Sequence, residues 1–487
     1  MREAVRRLVL GGLAGKLLGT LREVLLAAAY GTGVPATAAR VAQTGTLVPV
    51  DLLSADVLSA GFLPLHAELL RTDPPRAASL FRAVRAGAWV LSALLVAALL
   101  VLARPVVDLL APGLDDATAT TAARFLQVMA CGIPSYLQFS LLGYLEMSHG
   151  GFRLSSVRAT VQNLGMIAAL GAAWVLGEPV LLASGFTLAY LGLHAWGSVR
   201  VRHLLPTGAG VGGRDLALRC WRRVRPLLLL PVAVQGSVVT ERVVASLLGD
   251  HVVAAVDYAR FVAATGVNLL AVPLGLAGLA TLSGLGAAAA RERLVGVLPG
   301  LLLVVVPSSV VLTVGAAPVV QVLYARGAFD AASVATSAAV LTGLGVGFWA
   351  QSCAYVLVKA LNAAGRNRVA VAALVAGVVV TVAVNVLVHP LLGPATVGLA
   401  ASAGSVVTTV AAARALGVGA ELGRWLLGCA PVAALAAVAA VLAGRAVPGG
   451  GWAGLAAVAG SVALVWAVAC VLRGSWRRVV AGVLGRA

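Results

Sequence analysis

Charge is scarce in this chain: 11% of its 487 residues are Asp, Glu, Lys or Arg, against 60% hydrophobic, and the mean hydropathy is +0.99. A water-soluble domain carries about 25% charged residues, so a soluble fold is excluded and an integral membrane protein is implied. Acidic residues are scarcer still, 18 against 36 basic ones, and no large loop clusters them, which weighs against a membrane-embedded transferase. Aromatic residues make up 5%, and no basic stretch is interleaved with them; the formal charge of +18 is therefore not a nucleic-acid footprint. Cys131, Cys220, Cys353, Cys429 and Cys470 are odd in number and spread over different segments, leaving no disulfide framework. His66, His149, His194, His203, His251 and His389 stand apart from one another without paired metal-ligand spacing. No metal and no other cofactor is expected.

What is present is a succession of apolar runs, each near the ~20 residues a helix needs to cross a bilayer. They predict an all-α integral membrane protein with about fourteen transmembrane helices, the first near 8–30 and the last near 452–472. The runs at 37–66, 253–283 and 332–362 are long enough to be bent. Lys16 interrupts the first run and no cleavage site follows, so the N-terminus reads as a retained helix rather than a signal peptide. Arginine falls on alternate loops, from Arg2, Arg6 and Arg7 through the Arg153 and Arg158 loop and the Arg214–Arg225 stretch to Arg473, Arg477 and Arg478, while Asp108, Asp115, Asp116, Glu178, Asp250 and Asp330 occupy the opposite side. By the positive-inside rule the arginine side is cytoplasmic, as are both termini.

The longest polar stretch contains Pro206 and the run Gly208 to Gly213. It divides the chain into an N-terminal six-helix lobe (1–205), a basic cytoplasmic linker (206–225), a C-terminal six-helix lobe (226–420) and two accessory helices with a basic tail (421–487). Charged residues interrupt the first two spans of each lobe, as a parallel repeat would have it. Such charges cost roughly 2.5–3.5 kcal/mol each at bilayer depth and usually mark a pathway, a pair or a substrate. Lys16, Arg22, Arg40, Arg242 and Arg260 are the candidate binding residues, lining a central cationic cleft between the lobes and presenting it to an anionic headgroup; a guanidinium fork binds phosphate oxygens in pairs and stays charged. Glu23, Asp51, Asp56, Glu241 and Asp257 are the candidate supporting or ion-coupling carboxylates. Internal pairing is the competing reading, limited by the roughly 100° that separates neighbouring side chains such as Arg22 and Glu23 on a helix. Gly343, Gly345 and Gly347 fit close helix packing rather than phosphate binding, since no strand precedes them.

The stretch GKLLGTLRE from Gly15 to Glu23, followed by YGTG from Tyr30 to Gly33, resembles the first-helix signature of the MurJ/MviN lipid II flippase family. SAGFLP from Ser59 to Pro64 and YARGAFD from Tyr324 to Asp330 resemble two further motifs of that family, in the same order. The resemblance implies a member of the multidrug/oligosaccharidyl-lipid/polysaccharide exporter superfamily in the bacterial cytoplasmic membrane. Its substrate would be an undecaprenyl-pyrophosphate-linked cell-wall precursor, its motion alternating access, its headgroup ligands Lys16 and Arg22, and its lipid-tail groove the last two spans. Departures are visible: Thr37 stands where the family usually has an acid, the stretch Gly45 to Asp56 lacks the family's arginine and glutamate, and Arg260 is displaced one place along its helix. The expected partners are a polyprenyl-linked glycolipid, membrane lipid and cell-wall synthesis proteins, with coupling to the membrane potential, H+ or Na+ open. Other readings are an exporter of another polyprenyl-linked glycan, a cation-coupled drug exporter, and a non-transporting scaffold for cell-wall enzymes.

Overall fold

The computed structural model describes residues 2–52, 58–59, 61–205, 213–225, 228–282, 287–447 and 450–484. Backbone in hydrocarbon must satisfy its own hydrogen bonds, and a helix does so within one segment. The described residues accordingly form 21 α-helices and no strand.

The first compact unit is Met1–Asp250. It opens with α1 (Arg2–Tyr30) and α2 (Val34–Asp51), the latter begun by a proline in its first turn. Next in order are α3 (Leu63–Thr72) and α4 (Pro74–Val101), whose N-terminus is capped by the Asp73 side chain accepting from the Arg76 N–H at 3.2 Å. α5 (Ala103–Leu110) leads to α6 (Asp116–Ala130) and α7 (Ile133–Ser148), which meet at a 43° bend. α8 (Arg153–Leu176) ends at Gly177, in the left-handed conformation (φ +71°) that favours glycine, and α9 (Leu181–Arg200), α10 (Gly213–Val224) and α11 (Leu229–Leu247) complete the unit.

The second unit, His251–Ala487, is built on α12 (Asp250–Leu282), which begins one residue ahead of the divide, and α13 (Ala287–Val314). α14 (Ala316–Tyr324) is followed by α15 (Ala331–Val346) and α16 (Phe348–Ala363), bent by 51° at Gly347. α17 (Asn367–Leu392), α18 (Ala395–Ala415), α19 (Gly419–Ala446), α20 (Gly451–Leu472) and α21 (Gly474–Leu484) follow. α19 and α20 share this unit's core: Cys429, Val432 and Trp466 are buried with Leu298, Leu302 and Phe348, and Trp476 of α21 lies 5.3 Å from Trp466, ring centre to ring centre. The glycines expected to permit close packing do so. A Cβ at Gly343 would stand 2.5 Å from Ala395 O, and one at Gly398 would stand 2.2 Å from Val340 O, so α15 and α18 touch backbone to backbone.

Six helices recur in order with nearly the same lengths. α4 to α9 have 28, 8, 15, 16, 24 and 20 residues, and α13 to α18 have 28, 9, 16, 16, 26 and 21. In each series the short second helix leads to an aspartate cap on the third. Asp115 accepts from the Thr118 N–H at 2.6 Å, and Asp330 accepts from the Ser333 N–H at 2.8 Å. Those backbone donors hold both carboxyls below the usual carboxylate range.

Among the described residues, eight helices are long and apolar enough to cross a membrane, or ten with each bent pair taken as one span. Leu17, Leu94, Val175, Leu188, Leu391 and Leu472 are among the large apolar residues left exposed, as lipid-facing surfaces require. The expected fourteen are not all matched, because α1, α2, α9 and α11 fall outside the set. Lys16, Arg22, Glu23, Arg40, Glu241 and Arg242 interrupt the apolar runs of three of these four. The divide also differs from the one read at 206–225. It falls after Asp250, because α11 packs on α2 and α5 and the Gly113 N–H donates to Ser246 Oγ at 3.2 Å.

Candidate functional site

α1 is pressed against α8 through its small residues. A Cβ at Gly15 would lie 2.7 Å from the Ala159 Cβ, and Asn163 Nδ2 donates to Gly15 O at 2.9 Å. Away from this contact Lys16, Leu17 and Leu21 are exposed. Between the two faces stand Arg22, its side chain 15% exposed, and Glu23, which is buried.

Glu23 takes two arginines at once. Oε1 accepts from Arg22 Nη2 at 2.5 Å, while Arg40 of α2 donates to both carboxylate oxygens, Nη2 to Oε2 and Nη1 to Oε1. Arg22 also places Nη1 3.3 Å from Met166 Sδ of α8, so three helices converge on this ion cluster. The local Arg22–Glu23 pair, which helix geometry makes poor by itself, is completed by a partner seventeen positions on. Arg40 is itself buried, so its charge is spent on Glu23.

One turn along α2, Thr44 Oγ1 donates to Arg40 O at 2.9 Å and accepts from Arg242 Nε of α11 at 3.1 Å. Arg242 and Glu241 are buried, and the first unit thus brings Arg22, Glu23, Arg40 and Arg242 into one connected set. Among Lys16, Arg22, Glu23, Arg40, Glu241 and Arg242, four are cations and two carboxylates, an excess of positive charge. Thr37, at the position where an acid was expected, is buried and donates through Oγ1 to Asp250 O at 2.9 Å.

Asp51 belongs elsewhere in the unit. It accepts from Tyr136 OH at 2.8 Å; Tyr136 OH in turn accepts from Arg158 Nη2, Arg158 Nε donates to Tyr190 OH at 3.1 Å, and Tyr190 OH donates to Gln162 Oε1 at 2.9 Å. The Arg158 guanidinium lies 4.6 Å from the Tyr136 ring centre. Sequence reading assigned Arg158 to a cytoplasmic loop; it is in α8, half-buried beneath two tyrosines. Its partners come from α7 and α9, too distant in sequence to be signalled by any spacing. Asp56 lies outside the described residues.

In the second unit Arg260 and Asp257 are half-buried, three residues apart on α12. Tyr258 of the same helix packs with Tyr324 and Phe329 at ring-centre distances of 5.1 and 5.4 Å. The YARGAFD stretch is a helix-capping corner: Arg326 donates to Val322 O and Leu323 O at the end of α14, and Asp330 caps α15. Farther along, Leu270, Pro307, Phe348, Val462 and Trp466 line an apolar cavity of about 550 Å³; of the last two apolar spans, α20 contributes to it and α19 does not. Among the described residues no group of three or more His, Cys, Asp or Glu could hold a metal ion.

An all-helical, multi-span chain with a buried arginine–glutamate cluster in its first two helices has the features of a polytopic membrane transporter. Residues 26–449 match the family described as lipid II flippase MurJ, and the chain belongs to that family. The matched stretch begins just after Glu23 and includes the Ser59–Pro64 and Tyr324–Asp330 segments. A probable lipid II flippase MurJ of Synechocystis is 29% identical over 388 residues, covering 73% of this chain and 70% of that one; its counterpart in Rhizobium meliloti is 27% identical, covering 72% and 67%. Among solved structures, a lipid II flippase MurJ in an inward closed conformation superposes with a TM-score of 0.83 at 14% identity, over 97% of this chain and 99% of that one. An inward-facing multidrug resistance MATE family transporter of the MOP superfamily superposes with a TM-score of 0.65 at 15% identity, over 84% and 94%. At those identities the likeness is one of fold.

Proposed function

We propose that the chain carries lipid II, an undecaprenyl-pyrophosphate-linked cell-wall precursor, across the bacterial cytoplasmic membrane by alternating access. Arg22 carries the reading: it is fixed by Glu23 and Met166, yet its side chain keeps 15% exposure in a cluster with surplus positive charge. Lys16, exposed about 9 Å farther back along α1, is the second headgroup ligand. Arg40 and Arg242 hold the cluster in place from α2 and α11, and Arg260 supplies a further cation in the second unit. A pyrophosphate cannot enter hydrocarbon unaided, and fixed guanidinium groups replace the solvation it gives up. The apolar cavity beside α20 has the chemistry for part of the polyprenyl tail. Arginine-rich loops put both termini in the cytoplasm, so an inside-negative potential drives the anionic headgroup outward by about 2.3 kcal/mol per charge per 100 mV.

The test is exposure of lipid II at the outer leaflet of bacterial cells depleted of their own flippase and expressing this chain, with Arg22→Ala alongside. Restored exposure that is lost in the variant supports the assignment. No restoration, with the protein confirmed in the membrane, removes lipid II as the cargo. The altered charge pattern of α2, with Arg40 present and no arginine between Gly45 and Asp56, then favours another polyprenyl-linked glycan.

A further inference from the structure

α10 is short and amphipathic, and its two faces have different tasks. Leu216, Cys220 and Val224, spaced four apart, are buried against the rest of the first unit. The seating leaves no slack: a Cβ at Gly61, two residues ahead of α3, would lie 2.4 Å from Val224 Cγ2 and 2.8 Å from Cys220 Sγ, and one at Gly213 would lie 2.9 Å from Ser79 O of α4. On the outward face Leu218 is 44% and Trp221 48% exposed, one turn apart, and Arg219, Arg222 and Arg225 are exposed around them. Leu218, Trp221, Arg222 and Arg225 follow the i, i+3, i+4, i+7 spacing of a single helical stripe.

We infer that α10 is an in-plane binding element for anionic phospholipid headgroups of the cytoplasmic leaflet. The inference rests on the arginine-rich side being cytoplasmic and not on the nature of the cargo. Two apolar side chains fall far short of the roughly 800 Å² that each partner gives to a stable protein interface. They match what an interfacial helix inserts at headgroup depth, where an indole is favoured and neighbouring arginines reach lipid phosphates. Three arginines against the single exposed Asp215 give the stripe the charge complementary to an anionic leaflet. Because α10 is clamped to Gly61 and α4, lipid held on its outer face bears directly on Gly61, two residues ahead of α3, and on α4.

The experiment uses the full chain in nanodiscs of phosphatidylcholine with 30% phosphatidylglycerol, the acyl chains of one or the other lipid brominated. The Trp221 signal is the difference in emission between the parent protein and Trp221→Phe. Relative to its mole fraction, brominated phosphatidylglycerol is expected to quench more than brominated phosphatidylcholine, by up to about fivefold for each arginine engaged. The preference should fall between low and high KCl in the parent protein, and vanish in Arg219→Gln/Arg222→Gln/Arg225→Gln. Quenching by the two lipids in proportion to their mole fractions would overturn the inference, as would no quenching by either, which would place Trp221 against protein or water. The salt series needs only the parent protein and Trp221→Phe, so misfolding of the triple substitution cannot obscure the result. A chain that fails to expose lipid II yet keeps the lipid preference loses its proposed cargo and retains this site.

Discussion

Arg40 of α2 closes on Glu23 of α1 through both carboxylate oxygens, and the same carboxylate holds Arg22. A buried ion cluster of this kind contributes little net stability when intact, because desolvation offsets the attraction, but loss of one partner strands a charge. Glu23→Leu should therefore destabilise the protein by about 3–5 kcal/mol, and Arg40→Leu by a comparable amount, while Glu23→Leu/Arg40→Leu recovers much of the loss. Thermal unfolding of the four proteins in one detergent measures this. Strictly additive losses would show that the pair is not coupled.

Arg22 is expected to divide stability from transport. Arg22→Ala leaves Glu23 paired with Arg40, so expression and melting should change little, whereas outer-leaflet exposure of lipid II should fall about 10- to 100-fold, the worth of a charge-assisted hydrogen bond. Arg22→Lys keeps the charge but cannot reach Glu23 and Met166 with one planar fork, and should lie in between. Unchanged flux in Arg22→Ala and in Lys16→Ala would remove both from the headgroup site.

Glycine should matter by location rather than by helix membership. Gly398→Ala puts a methyl 2.2 Å from a backbone oxygen of α15, which cannot rotate aside, and should cost about 1–3 kcal/mol. Gly171→Ala, where nothing lies within 4 Å, should be neutral or stabilising by about 0.5–1 kcal/mol. Melting temperatures moving in the same direction would contradict the packing of α15 on α18.

Asp115 and Asp330 give the protein an acid-sensitive pair of corners. Both carboxyls are held below their ordinary range by backbone N–H donors, so their contribution is present above the unfolded value of about 3.9 and is lost as pH falls through the lower folded values. Asp330→Asn, which can still cap α15, should flatten the decline in melting temperature between pH 5 and pH 3 while leaving stability at neutral pH nearly unchanged. An identical acid limb in parent and variant would show that Asp330 does not titrate with unfolding.

Much of the architecture is visible in the chain because hydrocarbon imposes a simple rule: apolar runs become helices, and arginine-rich loops mark one side. The bend at Gly347 was readable from the length of its run, and the close approach of Gly343 from its neighbours Gly345 and Gly347. Helices that carry buried charge are harder to count, which is why α1, α2 and α11 account for three of the four helices that separate the fourteen expected spans from the ten found among the described residues. Arg22 and Glu23 stand out by sequence alone. That Arg40 would be consumed by Glu23 could not be read, since it depends on how α1 and α2 pack. Arg158 shows the opposite failure: near a helix end it resembles a topology marker, and only the tyrosines of α7 and α9 reveal a half-buried guanidinium.

The placement of α11 in the first unit sets an order for synthesis. When residues 1–205 have emerged, Thr44 lacks Arg242 and Gly113 lacks Ser246, so the earliest helices wait for a segment made later. At about 5–20 residues per second the missing stretch follows within seconds. A ribosome-bound chain arrested after residue 205 should thus remain open to protease where one arrested beyond residue 250 is closed, and the first unit finishes only as the second begins to appear.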